Sequence, residues 1–104
     1  MINSRNKGKV GERECAAVWT ELGWPSRRGQ QFSGEEGRDI VGPPLHVEVK
    51  RFKKQMRFFD WHEQAERDAA DGDMPVVCFR KDHGLWFIAF HLCRVNEFCE
   101  KLKG

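Results

Sequence analysis

Over residues 10–22 the apolar side chains Val10, Val18 and Leu22, with Cys15, Ala17 and Trp19, recur near helical spacing among Glu12, Arg13, Glu14 and Glu21, which predicts a first helix. Gly23 stands where a helix closes on a left-handed residue, and Pro25 bars its continuation. Residues 24–32 read as a polar and basic strand, Ser33-Gly34-Glu35-Glu36-Gly37 as a turn, and residues 38–41 as a second extended run. Gly42-Pro43-Pro44 is a tight connection, after which residues 45–50 alternate cleanly and complete a hairpin. Leu45, Val47 and Val49 fall on one face of that strand, and His46, Glu48 and Lys50 on the other. A second helix is predicted over 58–70, with Phe58, Trp61, Ala65 and Ala69 as its apolar stripe and Asp71-Gly72-Asp73 as its stop. Residues 75–80 and 85–92 form a strand pair around Lys81-Asp82-His83-Gly84, with Gly84 as the positive-φ residue. A short third helix over 95–102 carries Val95, Phe98, Cys99 and Leu102 at helical spacing. The order αβββαββα predicts an α/β fold in which a mixed central sheet is flanked by helices.

Composition narrows this picture. At 104 residues, one domain spanning 1–104 is expected, and 39% hydrophobic content with four Trp and eight Phe is that of a folded chain. The absence of Tyr excludes recombinases and topoisomerases that use a tyrosine nucleophile. No apolar run approaches the roughly 20 residues of a membrane span, and the basic N-terminus lacks the apolar stretch of a signal peptide, so a cytoplasmic protein without a membrane partner is expected. Cys15, Cys78, Cys93 and Cys99 form no CxxC pair, which argues against a zinc ribbon or redox motif and for buried reduced thiols. Net charge is only +2, but it is uneven: residues 1–54 hold 11 basic and 7 acidic side chains (+4), and the remainder hold 7 and 9 (−2).

Candidate chemistry lies in the basic half. Asp39 and Glu48 on the two hairpin arms can converge on a hard cation such as Mg²⁺, and Lys50 shares the face of Glu48. An ammonium beside a metal-ligating carboxylate can orient a water and offset charge on a phosphate, which suits phosphodiester hydrolysis. A Glu-x-Lys triplet arises by chance about 0.4 times in a chain of this length, so it is weak alone. Glu12 on the first helix, and the basic positions Arg27, Arg28, Lys50, Arg51, Lys53 and Lys54, gain weight from their place beside it.

Taken together, Lys7-Gly8-x-x-x-Glu12-Arg13-Glu14, Arg27-Arg28, Ser33-Gly34, Arg38-Asp39-Ile40, Val47-Glu48-Val49-Lys50 and Trp61-x-x-Gln64-Ala65 resemble the PD-(D/E)XK nuclease superfamily. Within it the pattern is similar to archaeal and phage-type Holliday junction resolvases, over residues 6–92. The resemblance implies a restriction-endonuclease-like αβββαβ core and a metal-dependent endonuclease acting on DNA, four-way junctions above all. It implies Asp39 and Glu48 as the principal ligands of Mg²⁺ or Mn²⁺, Glu12 as a helper, Lys50 as the catalytic lysine and Gln64 beside the scissile phosphate. Lys7, Lys9, Arg13, Arg27, Arg28, Ser33, Arg51, Lys53 and Lys54 would contact DNA. Arg38 stands where the superfamily name has Pro, a departure that removes no ligand.

Two symmetric cuts from one site per chain call for a homodimer. A nuclease for flaps, nicks or duplex ends is the alternative, and a non-cleaving DNA-binding module is the reading from another class. His46, His62, His83 and His91 form no HxxxH or HNH-like pattern and are read as structural. Trp61, Trp86, Phe87 and Phe90 are read as core or dimer surface rather than base-stacking platforms.

Overall fold

A computed structural model of the chain describes residues 4–29 and 38–104, with the side chains of residues 4–7 outside the description. The elements run α1 (Ser4–Glu21), β1 (Arg27–Arg28), β2 (Ile40–Val41), β3 (His46–Phe52), α2 (Phe58–Asp68), β4 (Pro75–Lys81), β5 (Phe87–Ala89), a 3-10 turn (Leu92–Arg94) and α3 (Val95–Lys103). The predicted order holds. The five strands form one sheet in sequential order β1-β2-β3-β4-β5, with β3 and β4 parallel and the other neighbours antiparallel. The chain is an α/β domain with a mixed sheet flanked by helices, and among the described residues no helix is long and apolar enough to cross a membrane.

Strand alternation divides the sheet into two different faces. Val47 and Val49 of β3 lie beside Val76 and Cys78 of β4, and Cys15, Ala16 and Trp19 of α1 close over them. Phe98 and Leu102 of α3 extend this layer, with Phe90 stacked on Phe98 at 4.4 Å. The opposite face carries Glu48 and Lys50, next to Val77 and Phe79, and α2 covers it. Phe58 and Trp61 reach Phe79 at 6.0 and 6.1 Å between ring centres, and His62 and Ala65 are buried.

Several boundaries differ from the expectation for definable reasons. α1 begins six residues earlier than residue 10, because its first turns are polar and leave no hydrophobic period to read. Val10, Ala17 and Leu22 of the expected stripe are exposed, and Ala16 is buried instead. β1 is confined to Arg27–Arg28: Pro25 has no N–H to offer, and the Ser26 N–H donates to Thr20 Oγ1 at 3.0 Å rather than to a strand. The Ser33–Gly37 turn and the end of the expected first strand lie outside the described residues. β5 keeps three residues of the eight expected, since Leu85 (84% exposed) and Leu92 (83%) extend beyond the packed layer. At the β4–β5 turn His83, not Gly84, takes positive φ (68°). Cys15 and Cys78 are buried as expected, but Cys93 and Cys99 are exposed; all four are free.

Gly29 links the fold to the hairpin. Its N–H donates to Asp39 O at 2.8 Å, and a Cβ built there would fall within the Arg38 carbonyl oxygen. Gly29→Ala is expected to destabilise the chain by about 1–3 kcal/mol, through forced separation of β1 from residues 38–39. The urea unfolding midpoint measures this, and an unchanged midpoint would show that the approach is dispensable.

Candidate active site

Glu48 and Lys50 point the same way because they are two residues apart on β3. The α2 crossover turns this polar face inward, so Glu48 is only 3% exposed. Asp39 sits one residue before β2, and its Oδ2 accepts the Val49 N–H across the hairpin at 2.8 Å. That N–H belongs to the residue after Glu48, so the Asp39 carboxylate is held close enough for its charge to act on the Glu48 carboxyl. Lys50 Nζ lies 3.6 Å from Glu48 Oε2 and donates to Gln64 Oε1 of α2 at 3.0 Å. Asp39, Glu48, Lys50 and Gln64, separated by up to 25 positions in sequence, are thus one connected cluster.

Burial, and then the Asp39 charge, push the Glu48 carboxyl from 4.5 up to about 8, against the opposing pull of Lys50. The buried Glu48 carboxyl and the half-buried Asp39, coupled through charge, favour one additional positive charge, whether a shared proton or a hard cation with oxygen ligands. The donor set itself fits Mg²⁺ or Mn²⁺: carboxylate oxygens, partly enclosed, with an amide and an ammonium at the rim.

Glu12 borders this cluster without joining it. Arg28 Nε donates to Glu12 Oε1 at 2.7 Å, and the Glu12, Asp39 and Glu48 ligand atoms do not all approach within 4.8 Å of one another. Burial and the Asp39 charge raise the Glu12 carboxyl above its ordinary value, while Arg28 and Lys50 lower it. Glu12 therefore senses the site electrostatically while its carboxylate is held by arginine.

The basic residues divide into three groups. Arg13, Arg27 and Arg28 line, with Ser26, an open depression of about 480 Å³ beside the helix of Glu12. Lys53 and Lys54 are exposed past the end of β3, and Lys9 is half-buried on α1. Arg51 departs from the expectation of a DNA contact, because strand parity sends it to the α1 face. There its two terminal nitrogens meet Glu14 at 3.1 Å and Asp82 at 3.3 Å, making it an internal brace. Lys7 lies in α1 with its side chain outside the description, and Ser33 is outside the described residues.

His46 was visible in the alternation but not as part of the interior. It is 1% exposed on the Glu48 face, its Nε2 has no partner among the described residues, and burial followed by the Arg38 charge lowers its pKa from 6.5. Asp68 of α2 also acts on both His46 and Glu48 through its charge, with no local motif to mark it. No family model, no curated protein and no solved structure matches the chain.

Glu48 yields a pH prediction. Between pH 4.5 and about 8 the folded chain retains a proton that the unfolded chain releases, so this group's contribution makes stability fall as pH rises through that window. His46 acts with the opposite sign, losing stability as pH falls below 6.5. Glu48→Gln, which removes only the former, is expected to raise metal-free stability at pH 8 by up to about 4 kcal/mol relative to wild type and to leave pH 4.5 nearly unchanged. Urea titrations at the two pH values measure the difference, and an equal effect at both would count against a raised Glu48.

Proposed function

We propose that the chain is a Mg²⁺-dependent DNA endonuclease of the PD-(D/E)XK type, acting as a homodimeric Holliday junction resolvase. The observation that carries this reading is the connected cluster of Asp39, buried Glu48, Lys50 and Gln64 gathered from the hairpin and α2. The first six elements run in the order αβββαβ, which is the order the resemblance leads one to expect and so supports the reading. A solvated strand face, the ordinary explanation for a Glu-x-Lys triplet, does not fit a carboxylate that is 3% exposed.

In this reading Asp39 and Glu48 hold the divalent cation, with Mn²⁺ an acceptable substitute for Mg²⁺. The bound ion supplies Lewis acidity toward the phosphate and lowers the pKa of water. The chain's own residues do the rest. The Val49 N–H fixes Asp39, so its orientation does not depend on substrate. Lys50, steered by Gln64, orients water and offsets charge developing on the phosphate. Arg28 neutralises Glu12, which would otherwise repel the DNA backbone, and Arg13 with Arg27 offers phosphate contacts along the adjoining depression. Lys53 and Lys54 extend the cationic surface past β3. Cutting both strands of a symmetric junction with one site per chain requires a C2 pair.

The purified chain with Mg²⁺ is expected to nick a synthetic four-way junction in preference to a flap or linear duplex. Asp39→Ala and Glu48→Ala should lower the rate on the order of 100- to 1,000-fold while gel-shift binding persists. Lys50→Ala should lose on the order of 100-fold or more with binding intact. Wild-type cutting by Asp39→Ala would remove that ligand, and failure to cut any of the three substrates would sink the nuclease reading. A solution mass of one chain would exclude the dimer.

A further inference from the structure

We infer that His62, Glu66 and His91 form a Zn²⁺ site that clasps α2 to the segment leaving β5. His62 and Glu66 are one helical turn apart on α2 and therefore share a side of the helix. His62 Nδ1 and Glu66 Oε1 are 3.2 Å apart. Two ligands bonded at zinc distances in a tetrahedron are separated by about 3.3 Å, so this edge is already near coordination length.

The third ligand comes from elsewhere in the chain. His91 lies between β5 and the 3-10 turn, and its ring centre is 4.4 Å from that of His62. The ligand atoms of all three residues lie within 4.8 Å of one another. His62 is buried against Phe58, with ring centres 5.7 Å apart, which fixes one imidazole before metal arrives. Glu66 and His91 are exposed, so an ion can enter from solvent and keep a water as fourth ligand.

Two imidazoles and one carboxylate select Zn²⁺ over the hard cations that suit an all-oxygen site. The metal would bridge positions 29 residues apart, tying the crossover helix to the C-terminal layer. Residues 62 and 64 are about 200° apart around the helix, so this group is directed away from the side on which Gln64 meets Lys50. The inference stands whether or not the chain cuts DNA.

Co²⁺ titration of the full chain tests it, in a Cys93→Ser/Cys99→Ser background that removes the exposed thiols as competing ligands. One equivalent should produce the intense visible bands of tetrahedral cobalt, and Zn²⁺ should displace them. His91→Ala and Glu66→Gln, both exposed and safe for folding, should each weaken binding at least about tenfold. Asp39→Asn should leave it within about twofold, since that carboxylate belongs to the other cluster. Zn²⁺ should also raise the melting temperature of the parent but not of His91→Ala. Unchanged affinity in both ligand variants, or loss of the bands in Asp39→Asn, would overturn the site.

Discussion

The parallel pairing of β3 with β4, in register from His46 beside Pro75 to Phe52 beside Lys81, is the constraint on which the rest of the molecule depends. Parallel neighbours cannot be joined by a tight turn, so the chain must leave the sheet, cross it and return. α2 is that crossover. Its passage covers the Glu48 and Lys50 face, while α1 covers the Val47 and Val49 face. A strand that would carry an ordinary wet side in an antiparallel meander is therefore enclosed on both sides, and its alternate polar residues must find partners indoors. Glu48 finds Asp39 and Lys50, and Lys50 finds Gln64.

The features legible in sequence were those with a local period or a local breaker. The 45–50 alternation, the Gly42-Pro43-Pro44 connection and the helical stripe around Trp61 and Ala65 each specify backbone geometry within a few residues. Polar α1 turns before residue 10 carry no such period, and the short β5 depends on which residues the α3 layer covers. At the site, Asp39, Glu48, Lys50 and Gln64 stood out individually, but sequence could not say that the His46–Glu48 face would be dry. That follows from where a helix eleven residues long comes to rest. The meeting of His62 with His91 was hidden for the same reason: only the i, i+4 pair with Glu66 has a spacing that can be read along the chain.

Charge follows a similar logic. The basic excess of the first half suggested a surface for polyanions, yet much of it is structural. Arg38 pairs with Asp73 at 2.7 Å, anchoring the residue before Asp39 to the loop that feeds β4. Glu14 of α1 receives both Arg51 and Arg80, at 3.1 and 3.2 Å, and so binds the helix to two adjacent strands. Gly11 makes room for this, since a Cβ there would press on the Arg51 side chain at 2.9 Å. Among the described residues of that half, the exposed cationic surface is narrower than the count implied, with Arg13, Arg27 and the Lys53-Lys54 pair as its members.

The packing of the indole rings gives the two layers separate voices. With no Tyr in the chain, its near-ultraviolet emission belongs to four tryptophans. Trp19 and Trp24 meet edge to face at 5.6 Å beneath α1, and Trp86 packs in that same layer under the Arg80 guanidinium. Trp61 stands apart on α2, between Phe52 and Phe79. Loosening of the crossover helix alters the surroundings of one fluorophore, whereas loosening of the α1 layer alters those of the other three. The chain thus carries a built-in optical means of telling whether its two helical coats come off together or one at a time.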